Sequence, residues 1–295
     1  MKIGYPCINQ SLPCRSSRTF RLVSYSHEKM EQVIENNLAC LSEILMFNQK
    51  YNLLFFRISS DLIPFASHPI CDYPWQKIYR KTFRNIGNFI KRHNMRISMH
   101  PDQFVLLNSL DEDIFHRSIK ELLYHAEILD LLGTNRSAKI QIHVGGIYGQ
   151  KEKSLERFIK RYEYLPREIT KRLVIENDER LYAVDDCLLI HNKINIPIVF
   201  DVLHFRCNNN GERMRDMLSK AFSTWNKQDG VPIVDYSSQE KGKRRGSHAH
   251  SININDFQEF FKETKGLDCD IMCEIKDKEK SAMKALRVLN KLKYQ

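Results

Sequence analysis

The sequence predicts an α/β protein, a (β/α)₈ barrel in a single domain over residues 1–295. Three observations carry that reading. Short β-type apolar runs alternate with longer helix-type segments, eight times over. No glycine-rich phosphate loop follows the first run, as the open doubly wound alternative would require. On six of the eight runs the apolar stretch ends in His, Asp or Glu, or is closely followed by one. Strand ends of this class of barrel gather at one face, which is where its active sites lie.

In order along the chain, Lys2–Pro6 leads to a helix over Glu28–Phe47, with Met30, Val33, Ile34, Leu38, Leu41 and Leu45 at helical spacing and Ser26 as its cap. Leu53–Ser59 precedes Trp75–Lys91, where Ile78, Phe83, Ile86 and Ile90 repeat the pattern. Arg96–His100 precedes Ile114–Leu132, capped by Asp113, and Lys139–Val144 precedes Lys153–Leu165. Arg172–Glu176 is followed by the short Val184–His191, and Ile198–Asp201 by Glu212–Phe222. Val231–Tyr236 leads to Ile254–Thr264, with Asn255 as cap, and Asp270–Glu274 to Lys278–Leu292.

Composition narrows the function. At 295 residues and 42% hydrophobic, the chain can bury a large core. A net charge of +10 and a pI near 9.1 point to a polyanionic partner. No apolar stretch approaches the roughly 20 residues that span a bilayer. The opening Met-Lys-Ile-Gly-Tyr-Pro-Cys lacks the apolar core of a secretory signal, so a cytoplasmic, monomeric chain is expected. The eight cysteines contain no Cys-x-x-Cys pair, which argues against a zinc knuckle, and free thiols are expected throughout.

The polar strand ends carry the chemistry. They are His100, His143, Glu176, Asp201 with His204, Asp235 with His248, and Glu274. A core does not need these groups. Glu176 follows three aliphatics, where a carboxylate is costly to bury without a cation partner. A lone strand-end histidine is more often a satisfied core residue, but repetition across six strands is hard to reconcile with that. Imidazole and carboxylate without thiolate suit Mn²⁺, Zn²⁺, Fe²⁺ or Mg²⁺. The donors are too many for one ion, so two or three divalent ions are expected, with Glu176 as a bridge. Such a pair of ions, with a basic protein around it, points to phosphodiester hydrolysis. Glycines 145 and 146 would let the backbone turn sharply after His143. Arg57 and Ser59 end the second run, either to position substrate or to satisfy neighbouring carboxylates. Lys243, Arg244 and Arg245 lie in a basic loop before His248 that either grips phosphates or is simply solvated.

Motifs then resemble a known family. They include Arg-Ile-Ser-Ser-Asp-Leu-Ile-Pro-Phe-Ala-Ser-His (57–68), Ser-Met-His-Pro-Asp-Gln-Phe-Val (98–105), His-Val-Gly-Gly-Ile-Tyr-Gly (143–149) and Ile-Glu-Asn-Asp (175–178). Phe-Asp-Val-Leu-His-Phe-Arg-Cys-Asn-Asn (200–209), Tyr-Ser-Ser-Gln (236–239), Ser-His-Ala (247–249) and Glu-Ile-Lys-Asp-Lys-Glu (274–279) follow in order. Together they cover nearly the whole chain and resemble the UV damage endonucleases, metal-dependent relatives of endonuclease IV on the same barrel. The resemblance implies nicking of duplex DNA on the 5′ side of cyclobutane dimers, 6-4 photoproducts and abasic sites, leaving 3′-hydroxyl and 5′-phosphate. It implies metal ligation by His100, His143, Glu176, Asp201, His204, His248 and Glu274, with Mn²⁺ favoured and Zn²⁺ or Mg²⁺ as alternatives. It implies a wedge of Gln103 and Phe104 at the lesion, and Asn9 facing it. Three residues depart from the family pattern. Phe104 replaces tyrosine, which keeps a stacking ring and loses a hydroxyl. Ile233 and Asp235 stand where the family often has Lys-x-His. Asp235 can still ligate; Ile233 cannot, which bears on the number of ions. A sugar isomerase or epimerase on the same barrel and a non-catalytic DNA-binding protein are the rival functions. The basic charge and the Gln103–Phe104 pair argue against the first, and the ligand set against the second.

Overall fold

A computed structural model describes residues 1–293 and contains the barrel. Its strands are β1 (Ile3–Pro6), β2 (Phe55–Ile58), β3 (Arg96–Met99), β4 (Lys139–His143), β5 (Leu173–Glu176), β6 (Ile198–Asp201), β7 (Ile233–Tyr236) and β8 (Asp270–Cys273). All pair in parallel with their sequence neighbours, and β1 pairs with β8 to close the sheet. The helices are α1 (His27–Lys50), α2 (Trp75–Ile78), α3 (Arg80–Arg92), α4 (Glu112–Leu131), α5 (Lys151–Tyr162), α6 (Arg167–Thr170), α7 (Val184–Ile194), α8 (Val202–Cys207), α9 (Met214–Ser223), α10 (Ile254–Glu263) and α11 (Glu279–Lys293). The main core lies between strands and helices. Among the described residues no helix is long and apolar enough to cross a membrane.

Inside the barrel the side chains are layered. Phe55, Val174, Val199, Ile233 and Met272 form a buried apolar plug. Two residues further along the same five strands stand Arg57, Glu176, Asp201, Asp235 and Glu274. Residues two apart on a strand share a face, so the polar set sits directly above the plug. The plug keeps water out from below, and the strand ends open above.

The strands fall where the apolar runs predict them; the helices differ in detail. The stretch over 75–91 is two helices, broken at Tyr79 (φ −94°, ψ 9°). Ser26 caps α1 as expected, but α4 and α10 are capped by Asp111 and Asn253 rather than Asp113 and Asn255. In both cases the true cap lies two residues earlier, because a cap must precede the first helical turn to accept its free N–H groups. The single-turn helix α8 was not expected. Asp201 caps it, accepting from the His204 amide at 2.6 Å, so His204 stands on a helical turn rather than on the strand. The expectation of free thiols is corrected at one pair: Cys14 and Cys40 form a disulfide. The long β1–α1 connection folds back over α1 and brings together sulfurs that are 26 residues apart, which spacing alone does not reveal. Cys7, Cys71, Cys187, Cys207, Cys269 and Cys273 are free.

Candidate metal centre

Six strand ends deliver their polar groups to one place. Side-chain donor atoms come within 4.8 Å of one another in three groups: His100 with His143 and Glu176; Glu176 with Asp201 and His204; and Asp201 with Asp235 and Glu274. Glu176, on β5, belongs to two of them. Its Oε1 lies 2.8 Å from His100 Nε2 and 3.1 Å from His143 Nε2, and its Oε2 accepts from Gln141 Nε2 at 2.7 Å. His248 stands at the rim, its Nε2 3.8 Å from Glu274 Oε2. The turn after His143 is built on Gly145 at φ +115°, where a Cβ would meet the Asn108 carboxamide.

The histidines are oriented from behind. His100 Nδ1 lies 2.8 Å from the Pro101 carbonyl, His204 Nδ1 3.0 Å from the Asn177 carbonyl, and His248 Nδ1 2.7 Å from the Glu274 carbonyl. A carbonyl only accepts, so each Nδ1 carries the proton. That leaves Nε2 as the ligating atom on all three rings, the arrangement found around bound metals. Asn177 further ties the β5 and β6 ends together through both the N–H and the carbonyl of Asp201.

The electrostatics are those of a site short of positive charge. Burial pushes the Glu176 carboxyl up, but His143 and His100 outweigh it and hold it at about 2. Burial lowers His204, yet Asp201, Glu176 and Glu274 raise it to about 10. Burial, Glu274 and Glu176 raise Asp201, against the pull of His204. Buried atoms without a hydrogen-bond partner here include Asp201 Oδ2, His143 Nδ1 and Arg57 Nε. Buried polar atoms are rarely left unpaired. Orphaned donors beside crowded carboxylates are what a site for divalent cations presents, so the residues fit metal ions.

Other expected site residues go elsewhere. Phe104 is 77% exposed beside exposed Gln103, on the loop that follows His100. A cavity of about 220 Å³ beside Gln103 is lined by His100, His143, Arg180 and Leu181, and Phe104 lines a separate one of about 470 Å³. Lys243 and Arg244 are exposed, while Arg245 donates to the Cys207 carbonyl. Asn9 is 3% exposed, donates to Tyr5 Oη at 2.8 Å and accepts from the amides of Ser11 and Leu12, which shapes its own loop. Arg57 is 2% exposed and paired with Asp235 and Glu274, which is the carboxylate-satisfying arrangement of the two expected for it. Gln141 and Asn177 were not singled out. A glutamine in the middle of an aliphatic strand was the available signal for the first.

Comparison with known proteins agrees with this geometry. The family model for UV-endonuclease UvdE matches residues 1–294. A UV DNA damage endonuclease of Clostridium perfringens is 42% identical over 294 residues, spanning 99% of this chain and 71% of that protein. One from Bacillus cereus (strain G9842) is 33% identical over 303 residues, spanning 99% and 96%. The crystal structure of SacUVDE superposes with a TM-score of 0.95 at 47% identity, over 99% of both chains. Endonuclease IV from Thermus thermophilus (TM-score 0.60, 17% identity, 87% of this chain and 95% of that one) shares the fold. With a family match along nearly its whole length and relatives this similar, the chain belongs to the UvdE family of UV DNA damage endonucleases.

Proposed function

We propose that this chain is a metal-dependent repair endonuclease that nicks duplex DNA immediately 5′ to UV photoproducts, and to abasic sites, leaving a 3′-hydroxyl and a 5′-phosphate. The observation that carries the reading is the convergence of three Nε2-presenting histidines and shared carboxylates on the face that also bears exposed Phe104. His100, His143, Glu176, Asp201, His204, His248 and Glu274 are the proposed ligands. Divalent ions held there, Mn²⁺ first among them, would acidify a water and neutralise charge on a phosphodiester.

The protein's own groups do the rest. Glu176 is common to two ligand groups and fixes their spacing. Nδ1–carbonyl contacts keep the imidazoles aimed before substrate arrives, so little reorganisation is needed. Gln103 and Phe104 project where a bent duplex would meet the barrel face and fill the gap left by unstacked bases. Extrusion costs least where stacking is already weakened by a lesion, which ties recognition to damage. Exposed Lys243 and Arg244 would take phosphates, adding affinity without sequence preference. D-psicose 3-epimerase from Clostridium cellulolyticum has a related barrel (TM-score 0.55, 11% identity, 86% of this chain and 92% of that one), which is a likeness of fold. A projecting phenyl ring and a basic loop favour a nucleic acid over a small sugar.

The test is a duplex carrying one cyclobutane dimer, incubated at low salt with Mn²⁺ or with chelator. A nick at the 5′ side of the dimer, present with Mn²⁺ and absent with chelator, is expected. Absence of any metal-dependent nick beside the dimer overturns the proposal.

A further inference from the structure

Resting on the metal-centre reading above, we infer that Arg57 acts as a built-in cation that takes up Asp235, so that this centre holds two divalent ions and not three. Arg57 and Asp235 are 178 residues apart in sequence and meet inside the barrel, directly above the apolar plug. Arg57 Nη2 donates to Asp235 Oδ1 at 2.9 Å, to Asp235 Oδ2 at 2.8 Å and to Gln141 Oε1 at 2.9 Å. Arg57 Nη1 pairs with Glu274. Gln141 Nε2 then donates to Asp235 Oδ2 at 2.6 Å. Both Asp235 oxygens therefore already accept from the protein, and the side chain is fully buried.

Asp201 is the contrast. Its Oδ1 accepts from the His204 amide, and its Oδ2 has no partner at all. Each of the three donor groups contains an orphaned atom, His143 Nδ1 in the first and Asp201 Oδ2 in the other two, so what sets the third apart is its guanidinium. The third, Asp201 with Asp235 and Glu274, already has a guanidinium paired to two of its three carboxylates. Charge agrees. Four carboxylates, Arg57 and two divalent ions leave one positive charge, which one phosphodiester cancels; a third ion leaves two charges uncancelled in a buried site. An ion seated between Asp235 and Glu274 would also stand beside the guanidinium and be repelled by it. Ile233 lies in the plug beneath Asp235, so no polar side chain of β7 is available below to rearrange the pair.

The experiment is an ion count by native mass spectrometry on protein loaded with Mn²⁺ and freed of excess. Two ions per chain are expected. Three overturn the inference while leaving the metal centre standing; none or one overturns both. Asp235→Asn should keep two ions, and Asp201→Asn should lose one; loss of an ion from Asp235→Asn is fatal to the inference. Melting in chelator separates a ligand from a structural partner. Asp235→Asn should melt below the wild type, because Arg57 loses its partner. Asp201→Asn loses its pairing with His204, so its melting does not bear on Arg57. An Asp235→Asn protein that melts as the wild type does overturns the inference, and if either variant fails to fold, the wild-type ion count decides alone.

Discussion

Replacing Glu176 with glutamine probes the centre at the atom pair where its parts meet. The carboxylate is hydrogen-bonded to His100 and Gln141, lies 3.1 Å from His143 Nε2, and is 1% exposed. Glutamine keeps the shape but offers one acceptor oxygen and one NH₂. If the NH₂ faces Gln141, two donors confront each other; if it faces the imidazoles, they lose their acceptor. A buried group left unsatisfied costs about 1–3 kcal/mol. At about 2–4 °C per kcal/mol for a domain of this size, the chelated variant should melt roughly 2–12 °C lower. The loaded protein should suffer more. Losing a partner that only supports a ligand weakens metal binding about 10–100-fold, and this oxygen pair serves two ligand groups, so a loss of about 10²–10⁴-fold is expected. Calorimetric titration with Mn²⁺ reads the affinity, and dimer nicking against Mn²⁺ concentration reads the consequence. Binding of the damaged duplex in chelator should stay within about threefold of wild type, because the side chain is buried beneath the surface that DNA would touch. A variant that melts lower yet binds Mn²⁺ and nicks as the wild type does would make Glu176 a structural residue and refute the reasoning.

Phe104→Ala removes a ring that is 77% exposed, so melting should not move, while the preference for damaged over undamaged duplex in competition binding should fall by the roughly 1–3 kcal/mol of one lost stack. Unchanged preference would remove Phe104 from lesion recognition. The double substitution Lys243→Ala, Arg244→Ala should reduce the slope of log affinity against log salt by about two, one phosphate contact each; an unchanged slope would make the loop a solvated one. In chelator, His204 is raised to about 10 from an ordinary 6.5, so its stabilising pairing is complete below pH 6.5 and lost as pH rises toward 10. The melting difference between wild type and His204→Gln should therefore be widest below pH 6.5 and close toward pH 10, and a difference that widens instead would contradict the assigned pairing.

How far the sequence reached follows from what sets each feature. Strand positions were legible because each strand is buried on both faces and reads as an aliphatic run, interrupted only where a side chain enters the lumen. That same period of two places Glu176 above Val174 and Glu274 above Met272, so the polar ring was foreseeable from spacing alone. Its internal pairing was not. Which lumen residues meet depends on how the sheet closes, and Arg57 on β2 finds Asp235 on β7, a strand to which it has no ladder connection. The Cys14–Cys40 bond escaped for a related reason: the β1–α1 connection has no periodicity, and its shape is set by the Asn9 side chain and by that bond.

A carboxylate after three aliphatics demands a cation partner, and an arginine within Phe-Phe-Arg-Ile demands an anion partner by the same physics. That makes neighbouring carboxylates one of the two expectations for Arg57, but the sequence does not say which carboxylate. Asp235 was the place to look, since it stands at a departure from the family pattern, with Ile233 two residues before it, and a buried acid there needs a partner that β7 itself does not supply. If the ion count is two, as inferred above, what sets it is a pair of opposite charges on two distant strands, and not the length of the ligand list.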